Sequence, residues 1–314
     1  MKALDLFAGA GGWDVAARGL GIDATGVEIM PDARLTRRAA DLPTAYSDVW
    51  TGLSDESVVP EHDLLIASPP CQTFSAAGRG EGRRALSEVL RLMPEAIDNP
   101  RGLRGVGEGL DDRTALVLSP LAYVSMFRPD HVAMEQVPTV LPVWEAVCVH
   151  LRTLGYTAEC AVVNAHDYGA PQSRKRAVLV ASRRIEARIP EPTGKGGTMA
   201  EAIGWGITDR PSPTLTGHLG VTRSPSGTQR VYLDAIERGA FIFKPVEPVP
   251  SRVAKGGIGA LYAPNTVNID VEDGAVLQGF PRDHPFQGSK TSRSLQVGNA
   301  IPVQLAREVL RQFA

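Results

Sequence analysis

Apolar positions in this chain fall into short continuous runs separated by stretches of helical period. Ala3–Phe7 (ALDLF), Ala24–Ile29 (ATGVEI), His62–Ala67 (HDLLIA), His131–Val137 (HVAMEQV), Tyr156–Val163 and Arg176–Ala181 (RAVLVA) read as strands. Helix-compatible spacing occupies Trp13–Leu20, Asp32–Ala40, Arg113–Met126 and Val143–Leu154. Strands buried on both faces and alternating with helices predict a parallel sheet wrapped on both sides, an α/β fold. After about Arg184 the texture changes. Residues 185–265 are rich in Gly, Pro, Ser and Thr, hold short apolar runs such as Phe241–Phe243, and predict a separate irregular lobe. Regular patterning returns at Glu272–Gly279, and an amphipathic helix over roughly Pro302–Phe313 closes the chain.

The 314 residues are 43% hydrophobic and 22% charged, values of an ordinary globular protein with room for one large core and a smaller lobe. No apolar run approaches the ~18 residues that span a bilayer, and the first residues enter a strand pattern without a signal-peptide cleavage region. The expectation is a cytoplasmic protein. Cys71, Cys148 and Cys160 are scattered without a CxxC pair, which predicts neither a disulfide framework nor a zinc site. The formal net charge is −2, yet Ala165–Ala260 carries 14 Lys/Arg against 8 Asp/Glu. That local excess has the sign of a phosphate footprint, although a solvated face explains it equally well.

Several short motifs carry chemistry. The turn Phe7-Ala8-Gly9-Ala10-Gly11-Gly12 follows a strand and opens a helix, where glycines let a ligand approach the backbone at the carboxyl edge of a sheet. Glu28 ends the next strand, about the ~20-residue offset at which an acid meets a ribose hydroxyl pair, and Asp48 follows as an acceptor for an adenine amino group. Together they point to an adenosine-containing ligand, without separating NAD from S-adenosylmethionine. In LLIASPPCQTFSAAG (Leu64–Gly78), Pro69 and Pro70 fix the backbone before Cys71 and aim its thiol, while Gln72, Thr73, Ser75 and nearby glycines form a polar loop. A thiol at a strand end with a closing loop suits a nucleophile better than an inert core cysteine. Glu135, near the end of another strand, suits proton donation at the same edge, against the plainer reading of a carboxylate paired with arginine. Gln172, Arg174 and Arg176 alternate, so an extended segment turns all three to one side.

FAGAGG, PPCQTFS, MEQV, QSRKR and the late LQVGNAIP, in this order and spacing, resemble the DNA cytosine-5 methyltransferase family over most of the chain except roughly 190–265. The resemblance implies a Rossmann-like S-adenosylmethionine-dependent methyltransferase sheet with a second, smaller irregular target-recognition lobe. It divides the chain into a catalytic cofactor-binding domain (1–184), a recognition lobe (185–285) and a C-terminal segment returning to the catalytic domain (286–314). Phe7, Ala8, Gly9, Gly11 and Gly12 would cradle S-adenosylmethionine. Glu28 would meet its ribose and Asp48 its adenine, Asn299 and Ala300 would line the methionine end, and Ile29, Val49 and Pro70 would also line the pocket. Cys71 would attack carbon 6 of a flipped-out cytosine in duplex DNA, with Glu135 donating to N3 and Arg174 and Arg176 supporting base and carboxylate. DNA contacts would come from Gln72, Ser75, Arg79 and Gln172, and from Thr214 and Thr216 in PSPTLTG (Pro211–Gly217). No metal is expected.

Two features depart from the family pattern. Glu135-Gln136-Val137 stands where Glu-Asn-Val is usual, which bears on the bonding that tethers the cysteine loop, and the recognition lobe is short. The resemblance also implies an enzyme of a restriction–modification pair, a phage or a solitary gene, beside which a cognate restriction endonuclease could act separately; a monomer is the default expectation. Competing readings are an RNA cytosine-5 methyltransferase, a catalytically silent DNA-binding homologue and an NAD oxidoreductase. The last explains the glycine turn but neither the Cys71–Glu135 pair nor QSRKR.

Overall fold

The computed structural model describes residues 1–70, 81–106, 115–204, 211–215 and 269–314. Seven strands form one sheet in the order β3-β2-β1-β4-β5-β7-β6. They are β1 (Lys2–Leu6), β2 (Asp23–Val27), β3 (Thr44–Tyr46), β4 (Leu64–Ala67), β5 (His131–Gln136), β6 (Thr157–Asn164) and β7 (Lys175–Ser182). Adjacent strands from β3 to β5 are parallel, whereas β7 runs antiparallel to both β5 and β6.

The expectation of a wholly parallel sheet is therefore corrected at β7. A parallel return needs a crossover of about a dozen residues or more, usually a helix. The connection 165–174 holds only the single turn Ala165–Asp167, so the chain reverses as a hairpin and β7 enters between β6 and β5. The reversal has a positional consequence: Gln136 pairs with Ala177, which places the start of β7 beside the end of β5.

The helices are α1 (Gly12–Arg18), α2 (Pro31–Ala39), α3 (Val49–Ser54), α4 (Glu81–Asp98), α5 (Leu103–Val106), α6 (Ser119–Phe127), α7 (Leu141–Thr153), α8 (Met199–Ile203), α9 (Val271–Leu277), α10 (Lys290–Asn299) and α11 (Val303–Arg311). Alternate residues of the central strands β4, β5 and β7 feed two cores, as the two-residue side-chain period requires. Leu64 and Ile66 point to one face with Trp13, Ala16, Leu305 and Val309, and α11 packs directly on α1. Leu65 and Ala67 point to the other, with Val89, Leu92, Tyr123, Trp144 and Leu151 from α4, α6 and α7. Met199, Ile203, Leu215, Ile269, Val271 and Leu277 also lie in the first core, so these parts of 185–285 are buried against the sheet. In α4, Val89, Leu92, Met93 and Ala96 form the buried stripe expected of an amphipathic helix. No helix among the described residues is long and apolar enough to cross a membrane.

Candidate active site at the carboxyl edge of the sheet

β1 ends in a turn with three left-handed residues, Phe7 (φ 63), Gly9 (φ 54) and Gly11 (φ 97). The non-glycine member, Phe7, is followed by an anchor: Ala8 N–H donates to the Val27 carbonyl at 3.0 Å. At Gly11 the left-handed φ favours glycine, and a Cβ there would lie 2.2 Å from Leu42 Cδ1, forcing that side chain to move. Gly9 differs. A Cβ there would meet no atom within 4 Å, which leaves this side of the turn open to a ligand. A Cβ on Gly12 would come 3.0 Å from the Ile301 carbonyl, so the chain just past Asn299 and Ala300 closes tightly over the start of α1.

Glu28 follows β2 and is nearly buried. Its carboxylate accepts from Gly9 N–H at 2.7 Å through one oxygen and from Met30 N–H at 2.7 Å through the other. Burial raises its pKa above the ordinary glutamate value, and those two amide bonds oppose the rise. The next residue, Ile29, leaves an apolar side chain 62% exposed beside this acid. Asp48 caps α3 by accepting from Trp50 N–H at 3.0 Å, and Val49 is buried, its carbonyl taking the Tyr123 hydroxyl at 2.6 Å. An open glycine, an acid and an exposed apolar side chain fit an adenosine moiety.

A second group lies across β4 and β5. Trp13 Nε1–H donates to Ser68 Oγ at 2.9 Å, and Ser68 Oγ–H donates to Glu135 Oε2 at 3.1 Å. Arg176 Nε lies 2.5 Å from Glu135 Oε1. Both oxygens of Glu135, itself only 4% exposed, are thus oriented by donors from different elements. Gln136 donates its side-chain amide to the Pro69 carbonyl and accepts from Val137 N–H at 2.5 Å. The longer side chain in place of the usual asparagine therefore does hold the chain immediately before Pro70. Cys71, Gln72, Ser75, Arg79 and Thr216 lie outside the described residues.

Of the two arginines, Arg176 pairs with Glu135. Arg174, 3% exposed, instead donates to the carbonyls of Leu215 and Gly298 at 2.8 Å each. Gln172 requires a correction: expected at the DNA, it is 0% exposed and its amide is used inside the protein. Its carbonyl accepts from Leu215 N–H at 3.0 Å, and its amino group donates to the Leu277 carbonyl at 3.2 Å and to Gln278 Oε1. Gln278 in turn donates to the carbonyls of Val297 at 3.0 Å and Ala300 at 2.6 Å. Thr214 is half-buried, and its hydroxyl donates to the Ser173 carbonyl at 2.9 Å. Alternation gives Gln172, Arg174 and Arg176 a shared side, but the sequence cannot say whether that side faces protein or solvent. Trp13, Ser68 and Gln278 were missed, and no sequence signal marks them, since their roles exist only through distant partners.

No group of three or more His, Cys, Asp or Glu able to hold a metal occurs among the described residues. A family model described as C-5 cytosine-specific DNA methylase matches residues 1–97, 103–200 and 233–314. The Type II methyltransferase M.AplI of Arthrospira platensis is 26% identical over 329 residues, spanning 99% of this chain and 85% of the relative. The Type II methyltransferase M1.HphI of Haemophilus parahaemolyticus is 27% identical, spanning 98% of this chain and 84% of the relative. Among solved structures, the Entamoeba histolytica methyltransferase EhMeth superposes with a TM-score of 0.65 at 15% identity, covering 100% of this chain and 99% of that one. The S. pombe Dnmt2 methyltransferase gives 0.64 at 16% identity, covering 99% and 98%. At such identities the likeness to solved structures speaks for the fold.

Proposed function

The chain belongs to the C-5 cytosine-specific DNA methylase family and is a DNA cytosine-5 methyltransferase; we propose that it methylates a flipped-out cytosine in a short duplex sequence through a covalent Cys71 adduct at carbon 6, with S-adenosylmethionine as donor. The observation that carries this reading is the clamp on Glu135. Ser68 and Arg176 fix the carboxyl, and Gln136 of the same strand holds Pro69, two positions ahead of Cys71.

Carbon 5 of cytosine is a poor nucleophile, so the reaction needs addition at carbon 6 first. The target atom is inaccessible within a duplex, so the base leaves the stack at a cost of a few kcal/mol. The Cys71 thiolate forms the S–C6 bond, electrons of the C5–C6 double bond move toward N3, and Glu135 delivers a proton there. Arg176 keeps the Glu135 carboxyl aimed throughout, which is positioning made before the substrate arrives. S-adenosylmethionine, when bound, supplies an electrophilic methyl group at its sulfonium. Loss of the carbon-5 proton to a base and of the Cys71 thiolate from carbon 6 restores the aromatic ring, and N3 returns its proton to Glu135. The turn Phe7–Gly12, Glu28, Ile29, Asp48, Val49, Pro70, Asn299 and Ala300 would hold the donor. The names of M.AplI and M1.HphI as Type II methyltransferases support a place in restriction–modification.

The test is transfer of labelled methyl from S-adenosylmethionine to mixed-sequence duplex DNA, beside single-stranded RNA and C71A. The expected product is 5-methylcytosine at one short DNA motif, absent with C71A. Label entering RNA in preference to DNA, or retained by C71A, overturns the proposal.

A further inference from the structure

We infer that His284 is a positioning residue for the cofactor turn, acting through the carbonyl of Ala10; the inference rests on reading Gly9–Gly12 as that turn. The Ala10 carbonyl lies outside the α1 ladder, whose first acceptor is Gly11: Val15 N–H donates to the Gly11 carbonyl at 2.9 Å. Nothing in the helix therefore fixes the direction of the Ala10–Gly11 peptide. The Gly11 side of that peptide is a glycine at φ 97, for which a flip of the plane is sterically inexpensive. Two contacts pin it instead. Gly11 N–H donates to the Ala8 carbonyl at 3.0 Å, and His284 Nε2 lies 3.0 Å from the Ala10 carbonyl, 274 positions away in sequence.

A carbonyl only accepts, so the nitrogen that faces it carries the hydrogen, which sets the tautomer of the ring. The ring is itself held. Its centroid is 4.6 Å from that of Phe280 and 4.7 Å from that of Phe286, and its backbone N–H donates to the Pro281 carbonyl at 3.0 Å. Partial burial lowers its pKa and favours the neutral form. The loop that carries it is tied to α2 and α10: Gln287 N–H donates to Thr36 Oγ1 at 2.8 Å, and Gln296 donates to the Gln287 carbonyl at 2.9 Å. A donor on a braced loop thus fixes a peptide plane in a turn that would otherwise sample alternatives. The turn's amides are set for the ligand before it arrives, which lowers the ordering cost of binding.

The experiment is calorimetric binding of S-adenosylmethionine, with duplex-DNA binding and thermal melting measured alongside, for wild type, H284F and H284Q. H284F keeps an aromatic ring between Phe280 and Phe286 but has no N–H, whereas H284Q restores a donor at the reach of Nε2. The expected result is a cofactor Kd about tenfold weaker for H284F, substantially restored in H284Q, with DNA Kd changed by less than about twofold. Equal cofactor affinity in wild type and H284F overturns the inference, as does an equal loss in H284F and H284Q. If H284F does not fold, H284M against H284Q gives the same contrast, since methionine matches the length of glutamine without its donor. Failure of wild type to bind S-adenosylmethionine defeats the functional reading itself, and is a different outcome from a null effect at position 284.

Discussion

Asp5 is a carboxyl on β1 with no exposed surface, no donor bonded to either oxygen among the described residues, and the Asp14 carboxyl group beside it. The nearby Arg37 is committed elsewhere, to both oxygens of Asp14 at 2.7 and 2.8 Å. Burial first, and repulsion from Asp14 second, push the Asp5 carboxyl well above the usual aspartate range, with Arg37 offsetting part of the rise. A raised native pKa means that the fold favours the protonated form. The stabilisation from that preference is complete below the unfolded value near ~4 and is lost as pH rises through the native value. Asp5→Asn removes the titrating group while keeping its size. Its melting temperature should therefore fall less than that of wild type as pH rises above about 4. At pH 8 the variant should be the more stable by about 1–3 kcal/mol. Parallel melting profiles for the two proteins would sink this account. Asp5 was not singled out in the sequence, because nothing in ALDLF says which face of the strand lacks a partner. Glu28 and Glu135 were legible for the opposite reason: an acid at the end of an apolar run has the sheet edge as its natural place.

At the scale of elements, β7 shows both what the pattern revealed and what it hid. The apolar run Arg176–Ala181 announced a buried strand, yet direction depends on the connection, and 165–174 is too short for a parallel return. Helix α4 was passed over because flanking glycines and an internal Pro94 mask its apolar stripe. Alternation in the segment leading into β7 gave Gln172, Arg174 and Arg176 one common side, and the fold gives them different tasks along it. Arg176 meets Glu135, while Gln172 and Arg174 grip the N–H and carbonyl of Leu215. The second hand of each reaches the segment 277–300, directly or through Gln278. Two arginines two positions apart should therefore fail differently. Arg174→Lys loses a planar fork that serves two buried carbonyls, and should destabilise by about 2–4 kcal/mol in urea unfolding. Arg176→Lys removes the aimed contact to Glu135, and should lower kcat by roughly 10²-fold, with a smaller change in unfolding midpoint than Arg174→Lys. Equal stability losses with no difference in kcat would refute the division of labour.

The whole molecule separates its charges. Its formal net charge is −2, but residues 165–260 alone carry 14 basic against 8 acidic side chains, so the remainder is clearly acidic. A uniformly acidic surface would repel duplex DNA, and the local basic excess of 165–260 has the sign that would favour it. Within that segment the structure has already withdrawn some cations from service: Arg174 and Arg176 are buried in the protein, and Arg183 and Arg184 are paired with Asp130. The cations left for phosphate are therefore fewer than the count suggests. With about four phosphates neutralised, DNA affinity should fall roughly 10²-fold between about 50 and 200 mM salt. S-adenosylmethionine, on the proposed site of a glycine turn and one buried acid, should change affinity by less than about threefold over the same range. Fluorescence anisotropy with labelled duplex and calorimetry with the cofactor measure the two slopes on one preparation. A steep DNA slope matching more than about ten phosphates would mean that basic residues outside 165–260 share the contact. A flat DNA slope would remove electrostatics as the reason for the charge separation, and leave groove contacts to carry the affinity.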